Sequence, residues 1–212
     1  MRGKPEPESG AAPRRIVLIG PMAAGKSTIG SRLASALGLT EVDTDQEFER
    51  KNGPISAVFA SLGENYFREA EARIVAKALS RDGVVVSLGG GAVLDAGTQQ
   101  LLADEFVVYL ETDAETVRPF ITRDRRRPLL AENPVEAWER VYDRRRSTYE
   151  RLATVTVDVT RASSRRPEAV VERIRALFGN SGLEPGSAAQ GSPAQGSAAA
   201  KADEQSRETR QG

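Results

Sequence analysis

Ile16-Val17-Leu18-Ile19 is a short apolar run with no polar alternation, and it runs straight into Gly20. A strand that is apolar on both sides needs cover on both faces. It therefore belongs inside a parallel sheet wrapped by helices, not at a solvated sheet surface. Beyond the segment Gly20–Ser27, Ile29, Leu33 and Leu37 recur at helical spacing, and Gly38 closes the pattern as a C-cap glycine does. Strand, glycine-bounded turn and helix thus follow one another without a spacer.

The alternation continues along the chain. Thr40–Val42, Val84–Val86, Phe106–Leu110 and Thr154–Val157 read as further strands. Phe67, Ala70, Ile74 and Ala78, then Glu115–Arg123, Val135–Leu152, and Val170, Ile174, Leu177 and Phe178 read as helices. Strands that alternate with helices predict a parallel sheet covered on both sides, because parallel neighbours need crossovers.

The 212 residues are enough for one domain with tails. Residues 1–13 hold three prolines and two glycines, and read as a disordered lead-in. Residues 181–212 contain one large aliphatic side chain, Leu183, and a loose Gly-Ser-x-Ala-Gln repeat. Such a segment cannot bury enough apolar surface to offset its ordering entropy. The folded domain is expected at 14–179, with a disordered tail over 180–212.

Composition removes whole classes of chemistry. There is no cysteine and no histidine, so disulfides, thiol catalysis, a Ser-His-Asp triad and His-ligated metals are excluded. Lys+Arg and Asp+Glu are 30 each, which argues against a uniformly basic nucleic-acid binder. No apolar run approaches a membrane span, and residues 1–13 lack the apolar stretch of a signal peptide. The expected location is the cytoplasm.

Gly20-Pro21-Met22-Ala23-Ala24-Gly25-Lys26-Ser27 fits G-x-x-x-x-G-K-[ST] in the context that motif requires. The glycines let the backbone turn tightly and aim its N–H groups inward. The helix N-terminus adds unpaired donors and partial positive charge. Lys26 can meet the β- and γ-phosphates of a nucleotide, Ser27 can offer its hydroxyl to Mg²⁺, and Thr28 can reach the α-phosphate.

Asp43 and Asp45 stand at the end of the second strand, where a doubly wound sheet borders its ligand crevice. One can hold Mg²⁺ and the other can take a proton from an attacking hydroxyl. Alternatively, either can cap the next helix. Gly89-Gly90-Gly91 follows the Val84–Leu88 strand, and such a run serves close backbone approach or positive φ. Between Arg118 and Arg166 there are thirteen arginines, no lysine and seven acidic residues, a local net of +6. A solvated basic surface is the plain reading for more than half of these positions, but such a surface would normally share the job with lysine, and the absence of lysine points to a planar fork on carboxylate or phosphate at some of them.

Taken together, these motifs resemble the shikimate kinases. The resemblance spans about residues 15–178 and rests on GPMAAGKSTIG at 20–30, VDTDQE at 42–47, FREAE at 67–71, GGG at 89–91, RPLL at 127–130 and RRRSTY at 144–149. It implies a three-layer α/β/α P-loop kinase with a five-stranded parallel sheet in the order 2-3-1-4-5 and a mobile lid near 123–134. It also implies transfer of the ATP γ-phosphoryl to the 3-hydroxyl of shikimate, on the route to chorismate and the aromatic amino acids.

By the same resemblance, Ala23, Ala24, Gly25, Lys26, Ser27 and Thr28 would bind ATP. Ser27 and, through water, Asp43 would serve Mg²⁺. Asp45 would bind shikimate and act as the base. Arg68 and Arg145 would clamp the shikimate carboxylate, and Gly90 would bind substrate through its N–H. Arg127 would be the lid arginine, catalytic with Asp45 and Lys26, and Arg165 would contact adenine. Ala23 stands where many shikimate kinases have glycine; with Gly20 and Gly25 kept, the extra methyl is expected to be harmless. A monomer acting on ATP and shikimate, with no nucleic acid or membrane, is the expected working state. The rivals are a gluconate or nucleoside monophosphate kinase, a silent nucleotide-binding regulator, and an interaction protein acting through its tail.

Overall fold

The computed structural model describes residues 15–122, 133–160 and 166–181. The lead-in 1–13, the lid segment up to residue 132 with Arg127, Arg165, and the tail beyond residue 181 lie outside the described residues.

In chain order the elements are β1 (Arg15–Ile19), α1 (Lys26–Leu37), β2 (Thr40–Asp43), α2 (Thr44–Asn52), α3 (Ile55–Leu79), β3 (Val84–Ser87) and a 3₁₀ turn (Ala92–Leu94). Then come α4 (Ala96–Leu101), β4 (Phe106–Glu111), α5 (Ala114–Ile121), α6 (Pro134–Leu152), β5 (Val155–Asp158) and α7 (Pro167–Asn180). All strand pairings are parallel, and the sheet order is β2-β3-β1-β4-β5, as the resemblance implies.

Alternate side chains of each strand feed two separate cores. Val17 and Ile19 of β1 join Val75 and Leu79 of α3, Val117 of α5 and Trp138, Tyr142 and Tyr149 of α6 on one face. Ile16 and Leu18 join Ile29 and Leu33 of α1 and Val170, Ile174 and Phe178 of α7 on the other. This is why β1 has no polar side: every residue of Ile16–Ile19 is at most 1% exposed. Burying one such side chain contributes about 1.5–3 kcal/mol. A smaller cluster of Phe48, Val58 and Phe67 glues α2 to α3.

The helix ends follow local chemistry. Gly38 takes φ 66 and sends its N–H to the Ala34 and Ser35 carbonyls, ending α1 where the sequence puts its C-cap. α3 is longer than the Phe67–Ala78 pattern indicates, because it includes a first segment that breaks at Gly63 (φ 81). The helix expected over Glu115–Arg123 is Ala114–Ile121, started by the Asp113 side chain on the Thr116 N–H. α7 runs one residue past the expected domain end. No helix among the described residues is long and apolar enough to cross a membrane.

Candidate active site

The carboxyl ends of all five strands open onto a single crevice of about 1420 Å³. That is large enough for a nucleotide and a second small molecule together. Ala23 through Thr28, Asp43, Asp45, Arg68, Gly90 and Arg145 all line it, so eleven sequence-derived site residues meet in one place. Arg127 and Arg165 lie outside the described residues.

At the centre of the sheet, β1 delivers the turn that precedes α1. Gly25 is the N-cap of α1 at φ 90, and Gly20 sits at φ 141 with no room for a side chain, since a Cβ would lie 2.7 Å from the Leu110 carbonyl oxygen. Lys26 Nζ donates to the Gly20 and Pro21 carbonyls at 2.8 Å each, which folds the lysine back over its own loop. Gly30 lets α1 approach β3: a Cβ there would meet Ser87 Oγ at 2.3 Å, and that hydroxyl donates to the Lys26 carbonyl.

Ala23 does not behave as expected. It has φ 64, the one non-glycine residue in the left-handed region among the described residues. The added methyl is therefore not neutral, since the left-handed conformation costs an L-residue about 1–2 kcal/mol. Packing of Ala23 against the core that contains Trp138 offsets part of that cost.

Next to the loop, β2 delivers the two aspartates. Asp43 is the N-cap of α2, the capping reading that the sequence allowed. Its Oδ1 accepts from the Asp45 and Gln46 N–H groups at 3.0 and 3.1 Å, capping α2, and the residue also lines the crevice. Thr44 between them is 1% exposed, donates to the Ser87 carbonyl and accepts from the Gly89 N–H. It fixes the start of α2 against the end of β3, and so places Asp45 beside Gly89.

None of the three glycines has positive φ, and Gly89 and Gly91 serve close approach. A Cβ on Gly89 would lie 2.5 Å from both Asp45 Oδ1 and Glu71 Oε1; one on Gly91 would lie 2.4 Å from Arg68 Nη1. The protein's own site side chains occupy that space. Gly90 faces the phosphate-type turn instead, with ordinary van der Waals distances of 3.5 Å from its Cβ position to the Gly20 oxygen and Met22 nitrogen.

Sequence reasoning missed Glu71. It is 4% exposed, and Arg68 Nη1 donates to its Oε2 at 2.6 Å. Burial pushes the Glu71 carboxyl above the ordinary glutamate value; the Arg68 and Arg145 guanidiniums oppose that push and the Asp45 charge adds to it. Burial pulls the Arg68 pKa down, but Glu71 and Glu64 outweigh it and the net shift is upward. The Arg68–Glu71 spacing in FREAE is the signal that could have found this pair, because residues three apart on a helix are neighbours.

Also missed were the aromatic residues of α6. Trp138 Nε1 donates to the Met22 carbonyl at 2.9 Å, and Tyr149 OH donates to the Gly90 carbonyl at 2.5 Å. Burial pushes the Tyr149 phenol up to about 12, with Arg145 acting in the opposite direction. On the β4 side, Thr112 lines the crevice and its hydroxyl is buried with no hydrogen-bond partner.

The oxygen donors available to a metal are a serine hydroxyl and aspartate carboxylates. Among the described residues no group of three or more His, Cys, Asp or Glu could hold one by itself. That donor set fits a hard divalent cation carried in on phosphate oxygens and waters, with one or two protein contacts.

Residues 22–177 match the family model for shikimate kinase. A shikimate kinase of Corynebacterium efficiens is 47% identical over 162 residues, covering 75% of this chain and 93% of that one. One from Streptomyces coelicolor is 42% identical over 158 residues, covering 74% and 91%. The solved structure of shikimate kinase from Acinetobacter baumannii in complex with shikimate superposes with a TM-score of 0.74 at 35% identity, covering 79% of this chain and 93% of that one.

Proposed function

This chain belongs to the shikimate kinase family and is an ATP-dependent kinase of shikimate; we propose that it phosphorylates the 3-hydroxyl through the residues gathered in its crevice. The carrying observation is that Asp45, Arg68 and Arg145 open onto the same crevice as Lys26. An acid-gripping pocket and a polyphosphate cradle therefore share one reaction space.

Strand order sets the direction of the reaction. Asp45 and Gly90 follow β2 and β3, Arg68 comes from α3 between those strands, Arg145 reaches the crevice from α6, and the phosphate turn follows β1. The nucleoside then extends over the ends of β4 and β5, where Thr112 and Val159 line the crevice. Arg165 is assigned to adenine there, and Arg127 to the phosphates when the lid segment closes and excludes water.

In this scheme Arg68 and Arg145 grip the shikimate carboxylate in two planar forks, and the Gly90 N–H donates to the substrate. That grip places the 3-hydroxyl beside Asp45, which accepts its proton as the oxygen attacks the γ-phosphorus. The amides of Ala23–Thr28 and the Lys26 ammonium stabilise charge on the transferring group without reorganising. Ser27 and, through water, Asp43 would hold Mg²⁺, which would supply positive charge to offset that of the phosphates. The zero formal net charge supports small-molecule substrates over nucleic acid. A monomeric, cytoplasmic working state with no membrane association is part of the same proposal, tested by light scattering and cell fractionation.

The direct test is ADP release with Mg²⁺ and ATP across shikimate, gluconate and AMP, with the phosphorylated position read by NMR. Shikimate phosphorylated at the 3-oxygen is expected. A higher kcat/KM for gluconate or AMP overturns the acceptor assignment.

A further inference from the structure

Trp138 is 1% exposed, and its indole N–H ends on a backbone carbonyl of the phosphate turn, 116 residues away in sequence. Its ring is fixed in turn. Trp138 packs on Tyr142 with centroids 4.8 Å apart, and Tyr142 shares a 2.6 Å hydroxyl–hydroxyl hydrogen bond with Tyr109. Tyr109 stacks on Tyr149 at 5.4 Å, and Tyr149 donates to Gly90. One aromatic column therefore ties α6 to the phosphate turn at one end and to the glycine loop at the other.

The carbonyl that Trp138 holds belongs to the Met22–Ala23 peptide. In a trans peptide the C=O and the following N–H point in opposite directions. A carbonyl drawn toward Trp138 therefore turns the Ala23 N–H away from Trp138, and Ala23 lines the crevice. Flipping that peptide would change ψ of residue 22 and φ of residue 23. Ala23 sits at φ 64, so an alanine gains intrinsic energy by flipping, whereas a glycine would not. The Ala24 N–H to Pro21 carbonyl bond of the turn is compatible with either orientation of the middle peptide, and Trp138 supplies the side-chain hydrogen bond that favours the strained one.

We propose that Trp138 is a positioning residue for the nucleotide: its N–H locks the Met22–Ala23 peptide so that the Ala23 amide faces the phosphates, a lock this chain needs because residue 23 is alanine. The inference rests on the reading of residues 20–28 as the ATP cradle.

The test is a double-mutant cycle in the full chain with Trp138→Phe and Ala23→Gly. Trp138→Phe raises the ATP KM by about tenfold, the scale of one lost hydrogen bond plus an unsatisfied carbonyl. The change in kcat and in the shikimate KM stays within about twofold. In the Ala23→Gly background the same substitution costs about twofold or less in ATP KM, because glycine holds positive φ without help. A merely structural role predicts equal effects in both backgrounds. Because Trp138 is the sole tryptophan, global replacement of tryptophan by benzothienylalanine removes the N–H with the shape kept, which covers a poorly folding Trp138→Phe. A tenfold ATP KM there supports the lock, and an unchanged one overturns it. Additive effects in the cycle also overturn it. Lys26→Ala separates the two readings: native-like nucleotide binding by that variant removes the cradle itself, and with it the premise of the lock.

Discussion

Arg68 Nη1 stands 2.6 Å from Glu71 Oε2, one turn along the same helix, and the same guanidinium reaches Glu64 Oε1 at 3.1 Å through Nη2. The arginine assigned to the substrate carboxylate is therefore already oriented by two carboxylates before any ligand arrives. Glu71 is buried and Glu64 is exposed, so Glu71 is the partner with the fixed geometry. Glu71→Gln is expected to raise the shikimate KM by about tenfold, the scale of one charge-assisted hydrogen bond. The ATP KM should move by less than about twofold. Equal rises in both constants, measured by initial rates, would remove Glu71 from the acceptor side.

The same carboxyl sets an acid limit. Glu71 is raised above 4.5 by burial, so it protonates at a higher pH than an exposed glutamate. The groups around it are Arg68, Asp45 and Arg145. Protonation removes the charge that orients Arg68, so kcat/KM for shikimate should fall as pH drops through the raised value, and Glu71→Gln should lose that limb. The sign for stability is opposite. A carboxyl whose pKa rises on folding contributes fully below its unfolded value and loses that contribution as pH climbs through the folded one. Denaturation of the wild type against Glu71→Gln from pH 4.5 upward checks this, and identical profiles would contradict it.

Asp45 tests the base assignment. Asp45→Asn keeps the shape and cannot take a proton, so turnover should drop by about 10²–10⁴-fold. ADP affinity, measured by calorimetry, should stay near the wild-type value. A near-normal rate would move the proton acceptor elsewhere.

Gly89→Ala separates site geometry from fold. The new Cβ would meet only two side-chain carboxylate ends closer than 3 Å, those of Asp45 and Glu71. Both are side-chain ends and not backbone, but Glu71 is buried and paired with Arg68, so stability should fall by about 1–3 kcal/mol without loss of the fold. Displacing two site groups together should still lower kcat/KM by about 100-fold. A variant that unfolds instead would show that the glycine serves packing alone.

The parts legible in the sequence were those whose signals are local. The unalternated Ile16–Ile19 run, the turn residues up to Ser27 and the Gly38 cap specify β1, the cradle and α1 within a span of neighbours. The sheet order entered through six spaced motifs, not through periodicity. α2 is anticipated only through its aspartate cap, and its extent is not legible because Thr44–Asn52 buries only Thr44 and Phe48, too few for a helical stripe. The glycine run showed that something comes close, but not that the protein's own Asp45, Glu71 and Arg68 fill the space. Trp138 and Tyr149 lie on an ordinary amphipathic helix, and hydrogen bonds to backbone 116 and 59 residues away leave no trace in local spacing.

The placement of Trp138 gives the chain a built-in optical gauge. Every photon emitted on excitation at the red edge of indole absorption comes from that one ring, which shares a hydrogen bond with the phosphate turn. Emission of the unlabelled protein thus samples the turn directly, so nucleotide arrival can be timed by stopped flow without a dye, a tag or a coupled enzyme.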